Sequence, residues 1–181
     1  MGRLAVMTMP HVIEPASSGR AKCRGCGQTI KKDEIRLGEK LPNPFAEGEM
    51  THWYHPRCAA FKRPEAFLEV AEDQPGSIGD CEALVEQAKI GAAHRRVPRI
   101  NGAQRSPTGR ARCRSCKEPI EKDSWRLALV FYEDGRYQPS GFVHAGCTSV
   151  YFGTTEIVVP ARHFSPDLSD AEMADFQASL G

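Results

Sequence analysis

Apolar positions along this chain change period several times, and each change predicts an element. Residues 1–18 show no regular spacing and run into a Pro/Ser/Gly cluster, the pattern of a flexible leader. Short extended pieces are expected at 34–37 and 51–54, separated by a loop whose Pro42, Pro44 and Gly48 disfavour a regular strand. The stretch PEAFLEVAED predicts a short helix, with Pro64 suited to its first turn and Phe67, Leu68 and Val70 facing inward. A second helix is expected from about 77–80 through CEALVEQAKIGAAHR, where Leu84, Val85 and Ala88 share a face with Cys81. VPRINGAQRSPTG, rich in proline and glycine, reads as a linker. Strands are expected at 125–132, 141–144 and 156–159, with a hairpin turn at Asp134-Gly135. Ser169 and Glu172 have capping-box spacing ahead of an amphipathic helix bearing Met173, Phe176 and Leu180, which would pack on the module before it.

Residues 19–37, GRAKCRGCGQTIKKDEIRL, are written again at 109–127 as GRARCRSCKEPIEKDSWRL, with eleven of nineteen positions identical. A duplication inside 181 residues argues for two small modules. The expected organisation is a leader at 1–18, a first module with its helices at 19–94, a basic linker at 95–108, a second module at 109–164, and an acidic tail with a short helix at 165–181. Units this small bury a modest share of their surface and need a staple. Seven cysteines can supply it. The first ten residues hold too few apolar positions for a secretory signal, so the expected setting is intracellular and reducing, where thiols bind metal. No apolar run approaches the roughly 20 residues of a membrane span.

Cys23 and Cys26, two residues apart, can converge on one ion while backbone amides point at their sulfurs. The same spacing serves redox pairs, but His55 and Cys58 form a second pair with the same interval. The later half repeats the set as Cys113, Cys116, His144 and Cys147. Two Cys3His sets predict two Zn²⁺ ions, and four protein ligands leave no open position for catalysis. His52 is not read as a ligand, because Gly141 stands at its offset in the second half. Cys81 has no counterpart and reads as a buried helix residue. The fold class is α+β: two small zinc-stapled modules, each a short irregular antiparallel sheet with flanking helices.

Charge is sorted into blocks that the formal total of +1 conceals. Residues 20–63 hold ten Lys/Arg against five Asp/Glu, and residues 89–117 hold nine bases and no acid. Residues 64–88 hold seven acids and no base, and 165–181 four acids and no base. Both basic blocks coincide with cysteine motifs, which points to a polyanionic partner. A second reading applies to Lys22, Arg24, Arg112 and Arg114, since three thiolates on a dication leave a formal −1 that nearby bases would offset.

The ligand pairs are separated by 28 residues in the first module and 27 in the second. Together with GRAKC, KKDEIRL and HWYHPRC, that order resembles the PARP-type zinc finger of poly(ADP-ribose) polymerases, DNA ligase III and plant DNA 3′-phosphatases. The resemblance covers about 19–75 and, more weakly, 109–160. It implies recognition of DNA strand breaks. Arg20, Arg36, Arg110 and Arg126 match phosphate-contacting positions, with Lys40 beside them, and Phe45 and Met50 lie where the family places its base-stacking platform. For Phe45 and Met50, packing on Trp53 and Leu41 is the alternative. The second module has FVH for the Trp-Tyr-His, and FYEDGRYQ at its loop, with Phe131 and Tyr132 as stacking candidates beside Glu133 and Asp134. The implied partner is nicked, gapped or ended DNA, bound inside the cell by a monomer that recruits a repair protein. No nucleophile with its base, phosphate-binding glycine loop or open metal site is present, so no enzyme activity is expected. The alternative function is a zinc-stapled scaffold that binds proteins.

Overall fold

The computed structural model describes residues 10–181. It divides into two compact units, one ending at Lys89 and the next beginning at Ile90.

The first unit holds strands β1 (Val12–Pro15), β2 (Ile35–Pro42) and β3 (Glu49–Tyr54), helices α1 (Pro56–Lys62) and α2 (Pro64–Asp73), and most of α3 (Cys81–Ala93). The strands form an antiparallel sheet in chain order. Prolines at the first position of α1 and α2 supply a helical φ where the missing N–H costs no hydrogen bond. Ile30, Leu37, Tyr54, Ala59 and Phe67 are fully buried. In β2, Gly38 lets Trp53, Thr51 and Val12 close over the strand: a Cβ there would come within 2.7 Å of the Trp53 ring.

The second unit repeats the plan with β4 (Ile100–Arg105), β5 (Trp125–Glu133) and β6 (Arg136–His144), again antiparallel and in chain order. Short helices α4 (Thr148–Phe152) and α5 (Val158–His163) follow. Helix α6 (Asp170–Ala178) opens with the expected capping box, Ser169 accepting from the Glu172 amide and Glu172 accepting from the Ser169 amide. Its Met173 and Phe176 join a core with Leu127, Val143, Tyr151 and Ile157. Phe176 meets Trp125 edge-on at 5.7 Å, while Asp175 accepts from the Trp125 indole and from Arg105. The β5–β6 hairpin turns at Asp134 and Gly135, both at positive φ, as a tight Asp-Gly turn requires.

Three expectations need correction. The leader assigned to residues 1–18 contains β1, whose residues Val12 to Pro15 pair with Ile35 to Gly38; residues 1–9 lie outside the described part. The basic linker assigned to 95–108 contains β4, an edge strand on β5. In both places ladder hydrogen bonds from a neighbouring strand outweigh local proline and glycine content. The strand expected at 156–159 is instead a turn at 156–157 followed by the first two residues of α5, with Pro160 in the first helical turn.

Candidate metal centres and nucleic-acid surface

The duplicated segment forms the same knuckle twice. The amides of Cys23 and Ile30 donate to the carbonyls of Gln28 and Ala21, and the amides of Cys113 and Ile120 to those of Glu118 and Ala111. Gly27 and Lys117 take matching left-handed conformations, as do Asp33 and Asp123. Ile30 and Ile120, like Leu37 and Leu127, are wholly buried. Identity at these isoleucine, aspartate and leucine positions therefore has a packing or backbone cause.

Each knuckle brings its four expected ligands within 4.8 Å of one another: Cys23, Cys26, His55 and Cys58 in the first unit, Cys113, Cys116, His144 and Cys147 in the second. His55 Nδ1 lies 3.4 Å from Cys26 Sγ and 4.0 Å from Cys58 Sγ. His144 Nδ1 lies 3.3 Å from Cys116 Sγ and 3.7 Å from Cys147 Sγ. A tetrahedral Zn²⁺ with ordinary Zn–S and Zn–N bonds requires an S···N edge of about 3.6 Å, so the donor sets fit the ion. The chain carries two structural zinc centres.

The surroundings favour thiolate at Cys23 and Cys113 and raise other thiols of the sets: Cys58 through its contact with Cys23 and burial, Cys26 and Cys147 chiefly through burial. Gly25 and His55 amides donate to Cys23 Sγ at 3.3 Å, and the amides of Ser115 and His144 donate to Cys113 Sγ at 3.3 and 3.4 Å. The Cys58 thiol, the His55 side chain and the amides of Cys26 and His55 bring Cys23 down to about 3, against the effect of burial. Burial raises Cys113, but the amides of His144, Cys116 and Ser115 outweigh it and bring the thiol to about 6. His144 Nε2 is 3.0 Å from the Pro119 carbonyl, which fixes the tautomer that leaves Nδ1 for metal. Glu34 stands 3.7 Å from His55 Nε2 in the first unit.

The centres differ in exposure. Cys23 and Cys58 are buried, whereas Cys116 is exposed and Cys147 half-buried. Lys62, on the last turn of α1, is not singled out by spacing yet is 3% exposed; burial lowers its ammonium pKa to about 7, opposed by Cys58. Its signal in sequence was faint: a lysine among the apolar positions of CAAFK. Buried Glu39 accepts from Arg63 Nε through both oxygens, at 3.0 and 2.9 Å. His52 is buried opposite Glu39 in the β2–β3 register and belongs to neither tetrad. Cys81 is half-buried.

The residues expected at a nucleic-acid surface separate into two groups. Arg20 and Arg110 are exposed, and Lys40 is half-buried with its ammonium donating to Thr51 at 2.8 Å. Arg36 and Arg126 are not surface side chains, at 7% and 5% exposure. Arg36 stacks 3.6 Å from the Trp53 ring centre and donates to Glu14 at 2.7 Å. Arg126 stacks 3.5 Å from the Phe142 ring centre and donates to Gln104 and Ser106. Their placement follows from strand pairing, since Arg36 sits opposite Glu14 and Arg126 opposite Gln104. A planar cation on an aromatic face is also a packing element.

Among the apolar candidates, Phe45 is 93% exposed in the turn between β2 and β3, and its amide donates to Asn43 Oδ1. Met50 is half-buried opposite Leu41. The second unit has no comparable loop, because β5 and β6 join through the two-residue turn. Phe131 and Tyr132 lie on β5: Phe131 is 44% exposed beneath Arg99, and Tyr132 packs on Tyr137 at 4.9 Å.

Two Cys3His knuckles, each closing a three-stranded sheet, define a protein of the zinc-stapled finger class. Residues 14–91 match the model of the poly(ADP-ribose) polymerase and DNA-ligase zinc-finger region, and the chain belongs to that PARP-type zinc-finger family. It is similar to poly(ADP-ribose) polymerase 1 of Gallus gallus, 30% identical over 158 residues that make up 74% of this chain and 16% of the relative. A poly(ADP-ribose) polymerase of Drosophila melanogaster is 28% identical over 140 residues, 69% of this chain and 14% of the relative. The matched part thus spans about one-sixth of these relatives' length, their zinc-finger region. Among the described residues no helix is long and apolar enough to cross a membrane.

Proposed function

We propose that the chain is a zinc-dependent DNA-binding protein that recognises strand breaks. The observation that carries this reading is Phe45, a large aromatic side chain 93% exposed on the turn between β2 and β3, inside the 20–63 block where ten bases face five acids. A free aromatic ring is costly in water and gains by stacking on a base, and a nick or end offers a base face that intact duplex hides. The exposed bases supply the sequence-independent part of the affinity. Arg20/Arg110 and Lys32/Lys122 are identical between the repeats, exposed and without ion-pair partners among the described residues. Packing explains the repeated cysteines, isoleucines and leucines but not these four. Lys40 adds a further base in the first unit, and within each unit a buried arginine acts through an aromatic ring, Arg36 by holding Trp53 and Arg126 by holding Phe142.

The two units have unequal tasks in this reading. The first contributes the stacking residue, while the second, with a closed hairpin carrying Glu133 and Asp134, contributes phosphate contacts through Arg110. The chain acts as a monomer on DNA inside the cell and recruits a repair protein, with no catalytic step of its own. The test is the salt dependence of binding to nicked duplex. Removing both exposed arginines, Arg20→Ala with Arg110→Ala, should lower the slope of log K against log salt by about 1.8, two contacts at about 0.9 each. An unchanged slope would refute the phosphate assignment.

A further inference from the structure

The segment between the first zinc centre and the second unit has a charge opposite to that of the knuckles. Within residues 64–88 all seven acids are exposed, and no lysine or arginine occurs. Glu69, Asp80 and Glu86 find His11, Arg57 and Lys89, but Glu65, Glu72, Asp73 and Glu82 have no basic partner among the described residues. The acids also border an apolar depression. Between α2 and α3 lies an open groove of about 650 Å³, with Ala71, Pro75, Cys81 and Val85 as its floor and Glu82 and Glu86 on its rim. Glu82 and Glu86 stand one helical turn apart, where like charges repel. A cation bridging them would relieve that repulsion. The second unit has no equivalent: between Cys147 and Ser165 the only acid is Glu156.

We propose that this groove docks a basic amphipathic protein helix, with apolar side chains on the Ala71–Val85 floor and Lys or Arg on Glu82 and Glu86. Charge complementarity selects the occupant. DNA is repelled by this face, and an acidic or neutral helix would leave Glu82 unanswered and Glu86 with Lys89 alone. The apolar floor asks for more than a polycation, because it buries area only against a side chain that fits it. The groove does not depend on the DNA-binding reading, and it gives a zinc finger a protein-facing side opposite in sign to its basic side.

The probe is a synthetic 14-residue Leu/Lys peptide with leucines at i, i+3, i+4 and i+7, titrated into the zinc-loaded full chain and followed by backbone amide NMR and fluorescence anisotropy. Controls are a scrambled peptide of the same composition and one with Glu in place of Lys. The expected result is saturable binding with shifts confined to residues 71–86, weakened roughly tenfold by Glu82→Lys with Glu86→Lys, and changed less than twofold by Glu65→Lys. All three are exposed positions, and unchanged zinc content and melting temperature report intact folding. Equal binding of the scrambled peptide, shifts spread over other acidic surfaces, or equal effects of the Glu65 and Glu82/Glu86 reversals would overturn the proposal. So would concentration-dependent dimerisation lost with the Glu82/Glu86 reversal, which would assign the groove to a second copy of the chain.

Discussion

Replacing Phe45 by alanine separates break recognition from folding. Because the ring is 93% exposed, its removal exposes almost no new core surface, and stability should change by no more than about 0.5 kcal/mol. The Phe45 amide bond to Asn43 involves the backbone and survives the substitution. Stacking of one base on an aromatic side chain is worth about 1–3 kcal/mol, so the dissociation constant for nicked duplex should rise roughly 5- to 150-fold. Binding to closed, unbroken duplex, which has no free base face, should change less than about twofold. Fluorescence anisotropy with labelled nicked DNA, competed by closed circular DNA at fixed salt, measures both quantities. An equal loss on the two substrates, or a large fall in melting temperature, would refute the reasoning, since either would mean that Phe45 supports the fold or general affinity.

Three further outcomes follow from the geometry. Zinc should leave in two phases under a chelator, the faster from the second centre with its exposed Cys116; Cys116→Ser should abolish the fast phase, and its persistence would reverse the assignment. Phe176→Ala empties a fully buried site beside Trp125 and should cost about 3–5 kcal/mol, read as a fall of at least about 12 °C in the melting temperature of the zinc-loaded protein; a fall under about 4 °C would mean that α6 is not part of the core. Burial, helped by Arg24 and Arg63, holds the His52 pKa below 6.5, so the unfolded chain takes up the proton first. The neutral ring's contribution is complete above pH 6.5 and is lost as pH falls below it toward the folded value. His52→Gln should therefore flatten the pH dependence of stability below 6.5, and a profile identical to the parent's would exclude His52 as a source.

Legibility varied with how far a feature depends on distant partners. Ligand spacing is a local property, and all eight ligands were readable because the tetrads come from paired motifs at matched intervals. Ser169 with Glu172 and Asp134-Gly135 were readable for the same reason, each encoding a cap or turn in adjacent residues. β1 and β4 were hidden because VIEP and INGAQR carry weak strand patterns, and become strands only by pairing with β2 and β5. Position alone marks Arg36 and Arg126 as phosphate contacts, and nothing nearby in sequence shows that Trp53 and Phe142 stack against them. Lys62 and Glu39 were hidden in the same way: their burial depends on how α1 meets the zinc centre and β2.

The central claim is tested most directly by competition between nicked and covalently closed circular duplex of identical sequence, at two salt concentrations and with zinc content verified. The account predicts tighter binding to the nicked form at both, with both affinities falling as salt rises while their ratio is retained, because stacking is far less salt-sensitive than phosphate contact. Equal affinity for the two forms would contradict strand-break recognition, and no affinity for either would contradict DNA binding itself.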